Sequence, residues 1–252
     1  MNNTVNEFLE KYYKSISEHE RFLFLPRDVE LQKKTIEELS YLIQECIKYK
    51  NVAIEDSDEN AANQLLSVQC MINAIRFEQK MWIDLKQEQW GTAWDALIDS
   101  ENYAESAKAA HELSTKIGTN EYLYKLKLYQ GLIFPPQVFH SPSIIIENYI
   151  CSLCEQDYAN CDHVAGEAYW GRFCRRIPNE TVGTREVSIV KDPKDKKARI
   201  FEIGTEEGNL RDYMTWKETE LPEEERNHER VTRGIVMTPS DTTVDFSDYF
   251  PE

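Results

Sequence analysis

With 252 residues, 41% of them apolar and 29% charged, the chain can bury a substantial core, which excludes a disordered segment and a small scaffold that needs disulfides to fold. The formal net charge of −16 is spread along the chain and repels phosphate, so nucleic acid is not the expected partner. No run of about eighteen apolar residues exists, and Met1, Asn2, Asn3 and Thr4 do not open a secretory signal, so we expect no membrane span and a cytoplasmic protein.

Helices are predicted through the first 130 residues. From a cap at Asn3 or Thr4, the residues Val5, Phe8, Leu9, Tyr12, Tyr13 and Ile16 follow the three-and-four spacing of one buried stripe, and Pro26 then breaks the chain. A second helix carries Ile36, Leu39, Leu42, Ile43, Cys46 and Ile47 on one face and gives out in the polar residues 51–60. Residues 59–88 hold neither Gly nor Pro and read as one long helix. Trp90 and Gly91 mark a joint, after which Trp94, Leu97 and Ile98 continue the helical pattern towards Gly118, a C-terminal glycine followed by Asn120 as the next cap. On that fourth helix Ala104, Ala107 and Ala110 form a small-residue stripe that admits a close neighbour, as an up-and-down bundle requires. A short helix with Tyr122, Leu123, Leu126 and Tyr129 ends at Gly131. Trp82, Trp90 and Trp94 read as core, and His19, His111 and His228 as surface or capping residues.

The pattern changes at Pro135 and Pro136 and again at Pro142, which sets the expected boundary between a helical bundle (residues 1–140) and a second domain (141–252). Ile144, Ile145 and Ile146 favour a short strand leading into Cys151. Residues 186–190 and 199–203 alternate polar with apolar around a Pro-Lys-Asp turn and predict a hairpin. The intervening Lys191, Lys194, Lys196 and Lys197 are interleaved with Asp192 and Asp195 and read as a solvated turn. Residues 218–230 are charged and predicted helical, residues 234–237 a last strand, and the acidic tail from Ser240 onward a loose segment. The expected fold is therefore mainly α: an N-terminal helical bundle followed by a small zinc-binding α+β module.

Four of the six cysteines crowd between positions 151 and 174, while Cys46 and Cys70 lie on apolar helix faces as core filler. Cys151 and Cys154, separated by two residues, can chelate from one tight turn, and Cys161 and His163, at alternate positions, can point to one side of an extended segment. Three thiolates and an imidazole favour zinc over magnesium or calcium, and four protein ligands make the site structural. Cys174 is a rival to His163 for the fourth position. A cytidine-deaminase arrangement fails, because His140 is followed by Ser141 and Pro142 rather than by a His-x-Glu pattern. Asp162 with His163 offers an alternative, an HNH-like metal-assisted nuclease, for which only Cys174 and Asn179 could complete the motif.

Cys151, Cys154, Cys161, His163, Gly166, Tyr169, Gly171 and Cys174, followed by Glu186, Val187 and Ser188, resemble a small Cys-rich module of tailed-phage head proteins and uncharacterised bacterial proteins. The resemblance spans residues 151–190 and departs at Pro193 and Lys194, where the phage head proteases carry Pro-Ala; no His and Ser pair for such a protease is found, and residues 1–140 carry no resemblance. It implies a zinc module of bacterial or phage-related origin. We expect a non-enzymatic, zinc-stabilised protein that binds another macromolecule, a protein rather than nucleic acid or membrane. A second alternative is an acidic inhibitor or decoy in phage and host conflict, to which the acidic tail with Phe246, Tyr249 and Phe250 would contribute.

Overall fold

The computed structural model describes residues 3–222 and 231–235. The expected α-rich order holds: six helices come first and a small strand-rich region containing the Cys/His cluster follows. Contacts divide the described residues into two compact units, one of residues 3–127 with 148–180, the other of residues 128–147 with 181–222 and 231–235. The segment with the clustered cysteines thus belongs to the same unit as the helices. Among the described residues no helix is long and apolar enough to cross a membrane.

In the first unit, α1 (Asn3–His19) buries its predicted stripe of Val5, Phe8, Leu9, Tyr12 and Ile16. The loop around Pro26 ends at Asp28, whose carboxylate accepts the N–H groups of Glu30 (2.9 Å) and Leu31 (3.2 Å) and so starts α2 (Val29–Glu55). Buried amides hold this loop down: Gln32 Nε2 donates to the carbonyls of Phe22 and Phe24, and Gln79 Nε2 donates to Phe22 as well. Asp58 caps α3 (Glu59–Lys86) by accepting the Ala61 N–H (2.9 Å).

The centre of this unit is α3, buried at 21 of its 28 positions and therefore enclosed on all sides. Its neighbours approach closely because small residues face each other. Ser67 Oγ donates to the Ala107 carbonyl of α4 (Trp90–Ala110) at 2.8 Å, and Ser100 of α4 donates to the Ala74 carbonyl of α3 at 2.7 Å. The predicted stripe of Ala104, Ala107 and Ala110 is buried at this contact. Helix α4 stops earlier than the pattern suggested. His111 turns extended, and its Nδ1 accepts the Leu113 N–H (3.0 Å), so the residue caps the short α5 (Leu113–Lys116) instead of continuing the helix. Helix α6 (Thr119–Ile133) runs two residues past Gly131.

Two sequence expectations about the strands are corrected. The alternation over residues 186–190 belongs to a longer strand, β4 (Arg176–Val190), which pairs with β1 (Phe139–Cys151) and not with residues 199–203. Alternation marks a strand but does not choose its partner, and here the long β1 takes that edge. Residues 200–204 form β5 (Ile200–Gly204) in a separate antiparallel sheet ordered β7-β6-β5-β8, with β6 (Asn209–Asp212), β7 (Glu218–Glu220) and β8 (Thr232–Gly234). The predicted charged helix therefore begins as a strand: Glu218, Thr219 and Glu220 pair with Arg211, Leu210 and Asn209 at a sheet edge, where charged residues are at home. This sheet belongs to the second unit and buries Ile200, Leu210 and Leu221 together with Phe139 of β1. Gly234 admits a close crossing there, since a Cβ would lie 2.6 Å from the Arg199 carbonyl. Residues 223–230 of the expected helix, Val236 and Met237 of the expected last strand, His228 and the acidic tail lie outside the described residues.

Candidate metal centre

The segment between β1 and β4 has few means of folding by packing. Of residues 151–176 only Cys151, Gly171, Phe173 and Cys174 are buried. Its backbone is instead closed by turns. β1 ends at Cys151, whose N–H donates to Gln156 O and whose carbonyl accepts the Glu155 N–H, both at 2.9 Å, with Glu155 at a positive φ of 59°. The Asp157 carboxylate accepts the Ala159 N–H (2.9 Å) and starts the 3₁₀ turn Tyr158–Asn160, which delivers Cys161. Beyond His163, the hydroxyl of Tyr169 accepts the Val164 N–H and the hydroxyl of Tyr158 accepts that of Ala165, at 3.0 and 2.9 Å.

These turns bring together all four residues the spacing singled out. One donor atom from each of Cys151, Cys154, Cys161 and His163 lies within 4.8 Å of the other three. The Cys154 and Cys161 sulfurs are 3.5 Å apart, and His163 Nδ1 is 3.3 Å from Cys161 Sγ and 3.7 Å from Cys151 Sγ. An ion bonded tetrahedrally to sulfur at about 2.3 Å and to nitrogen at about 2.0–2.1 Å spaces its ligand atoms by about 3.5–3.8 Å. The donor set therefore fits a metal ion, and soft thiolates with one imidazole are the set that zinc takes. The imidazole plane is fixed edge-on against Tyr169, with ring centroids 4.8 Å apart. Cys174 Sγ, the rival donor, lies 3.7 Å from Cys151 Sγ and outside the set of four. Asp162 is exposed and also outside it.

Backbone N–H groups are aimed at the sulfurs: Leu153 donates to Cys151 Sγ at 3.4 Å and His163 to Cys161 Sγ at 3.2 Å. Burial works against a charged Cys151, but the N–H groups of Cys154 and Leu153 and the neighbouring thiols outweigh it and bring the thiol down to about 6. Burial and the adjacent Cys151 push Cys174 up to about 12. By contrast Cys46 is raised to about 12 by burial alone against small opposing effects, and Cys70 is raised too, as inert core thiols are.

The module is seated on the helices by its hairpin, a feature that sequence reasoning missed. β2 (Ala168–Tyr169) and β3 (Arg172–Phe173) are joined by Trp170 and Gly171, both at positive φ (50° and 71°), a tight two-residue turn. Four backbone groups around that turn are taken by α2 and α3. Glu59 accepts the Trp170 N–H (3.2 Å), Asn63 Oδ1 accepts the Gly171 N–H (2.8 Å), and Asn63 Nδ2 donates to the Ala168 carbonyl (3.2 Å). Lys50, only 4% exposed, donates to the Gly171 carbonyl (3.0 Å) and to Gln69 Oε1 (2.8 Å). Phe173 joins the apolar core of the helices. The available signal was a lysine on a buried stripe: Ile43, Cys46, Ile47 and Lys50 share one helix face.

His19 is the other correction. It is buried, with Nδ1 3.1 Å from Ser15 Oγ and Nε2 2.7 Å from Glu38 Oε2, and it fastens α1 to α2 instead of facing solvent. Although this joins a hydroxyl, an imidazole and a carboxylate, Ser15 lies inside α1, where the backbone N–H groups that could stabilise an oxyanion are spent on the helix itself.

Comparison with protein-family models, with curated proteins and with solved structures finds no match to this chain.

Proposed function

We propose that this chain is a zinc-stabilised interaction protein, of bacterial or phage-related origin and cytoplasmic, that binds another protein and catalyses no reaction. The observation that carries this reading is the convergence of Cys151, Cys154, Cys161 and His163 at ligand spacing. Four protein donors fill a tetrahedral shell and leave no position for water or substrate, which is the arrangement of a structural ion. Such an ion supplies folding free energy where side chains do not, and the sparsely buried residues 151–176 need that supply. Val164 (49% exposed), next in sequence to His163, and Trp170 (41%), at the hairpin turn seated on the helices, leave apolar side chains open to a partner. The overall charge of −16 favours a protein over a polyphosphate partner.

The test is elemental analysis of the freshly purified, reduced protein alongside Cys154→Ser. We expect one zinc per chain in the parent and none in the variant, which loses the fold of the Cys-rich segment while most of its helical circular dichroism remains. Zinc-free parent protein, or a variant with unchanged zinc content and thermal stability, would overturn the reading. Capture of a partner by the parent protein and its loss in Trp170→Ala would establish the surface.

A further inference from the structure

The centre holds one more donor than a tetrahedral ion uses. We infer that Cys174 is an exchangeable ligand that takes the place of His163, so that the site alternates between three sulfurs with one nitrogen and four sulfurs. This rests on the zinc reading above and adds to it a second ligand set.

Cys151 Sγ is equidistant from the two competitors, 3.7 Å from His163 Nδ1 and 3.7 Å from Cys174 Sγ. Both distances are those of atoms sharing one tetrahedral ion. Cys174 is also held there by its backbone. Gly166 donates to its carbonyl and its own N–H donates to Glu167 O, both at 2.9 Å. One residue on, Arg175 N donates to Ser152 Oγ (2.8 Å) and Ser152 N donates to Arg175 O (3.0 Å), which ties the link between β3 and β4 that carries Cys174 to the turn carrying Cys151 and Cys154. The thiol is fully buried against Cys151 and its neighbour Phe173 is anchored in the helical core. His163, by contrast, is half-exposed on the loop between Cys161 and Gly166, and its ring leans on Tyr169 alone among the described aromatic residues. The more firmly placed donor is thus the one outside the set of four. In the exchange the imidazole withdraws its nitrogen, Cys174 donates its sulfur in that position, and the thiol proton leaves to solvent. The four-sulfur set is the softer of the two, so softer ions favour it, and it leaves the imidazole free to face outward beside Val164.

Cobalt(II) and zinc, added to the full-length reduced protein, test this with His163→Ala, Cys174→Ser, Cys174→Ala and the double variant His163→Ala with Cys174→Ala. The readouts are the thiolate-to-cobalt charge-transfer absorbance, which scales with the number of bound sulfurs, and zinc retention against a competing chelator. We expect His163→Ala to bind one cobalt with the charge transfer of four thiolates, the Cys174 variants to bind one with that of three, and the parent to lie between the two. The double variant should lose zinc affinity by about tenfold to a hundredfold beyond the product of the single losses. Helical circular dichroism checks that each variant folds, and the alanine variant covers the case in which a buried serine hydroxyl is not tolerated. If His163→Ala loses its ion as completely as Cys154→Ser, with no gain in charge transfer, Cys174 is not a ligand and the inference falls. If the Cys174 variants lose the ion while His163→Ala is unaffected, Cys174 is the resident ligand and exchange is overturned. Parent protein that takes up neither ion would overturn the zinc reading itself along with the exchange, an outcome distinct from the two before it.

Discussion

Helix α3 and the Cys-rich segment lie in one compact unit, yet they are held in different ways. The helix buries 21 of 28 residues, and its close neighbour α4 is met by small side chains and by serine hydroxyls bonded to backbone carbonyls. Between residues 151 and 176 only four side chains or glycines are buried, strands are two residues long, and order comes from turns closed on backbone groups. A segment of that kind exchanges apolar burial for a coordination centre. The helices provide the seat, and the loops they carry leave Val164 and Trp170 exposed.

The largest expected effect breaks the helical side of this comparison. Ile72 is fully buried in α3, so Ile72→Ala should cost about 2–5 kcal/mol of unfolding free energy through lost burial and the cavity left behind. Chemical denaturation measures the cost, and zinc content below the transition should be unchanged. Loss of zinc in the still-folded variant would show that the two modes of stabilisation are not separable.

Lys50 sharpens the contact between the two. Lys50→Met removes the donor to Gly171 O and Gln69 Oε1, leaving two buried acceptors without it, at about 1–3 kcal/mol, partly offset because an ammonium no longer has to be buried. Burial, the largest influence on Lys50, lowers its pKa from the ordinary 10.5. The folded state therefore binds this proton less tightly than the unfolded chain does, and stability should rise as pH climbs through the folded value towards 10.5. The raised thiols Cys46, Cys70 and Cys174 lower stability over the same range in both proteins, so it is the midpoint of the parent minus that of Lys50→Met that should rise with pH. A parent curve that falls with pH while the variant's stays flat would contradict this assignment. Gly171→Ala should cost about 1–2 kcal/mol for the left-handed backbone alone, and its Cβ would also meet Lys50 Cδ at 2.7 Å. Thermal unfolding followed by circular dichroism would report it.

Much of this was legible in the residues. Three-and-four spacing placed α1 to α4, and the spacing of Cys151, Cys154, Cys161 and His163 named a set of donors whose atoms do converge. What failed was pairing and context. The alternation of residues 186–190 gave a strand but not its partner β1, because nothing local to a strand encodes which edge it meets. Charge made residues 218–220 look helical, although at the edge of a sheet the same charges face solvent. His19 looked like a surface or capping residue since its partner Glu38 lies on another helix, and nothing near Lys50 in sequence points to its acceptor Gly171, 121 positions away. Long-range polar contacts of this kind leave no periodic trace.

The smallest expected effect comes from that His19 contact and serves as a control on the larger ones. The hydrogen bond from His19, with Lys34 adding a weaker attraction, holds the Glu38 carboxyl below its usual range. A carboxylate so lowered contributes stability that is present above its unfolded value and is lost as pH falls through the folded one. Glu38 is nearly half exposed, with 46% of its side-chain surface accessible, so solvent screens the interaction and Glu38→Gln should cost less than about 1 kcal/mol. Added salt should shrink the difference between parent and variant, and acidification below the carboxylate range should abolish it. A cost rivalling that of Ile72→Ala would mean that the junction of α1 with α2 is held by this buried histidine more than by the apolar stripe of Val5, Phe8, Leu9 and Tyr12, and the helical half of the comparison would then need the same polar account as the Cys-rich half.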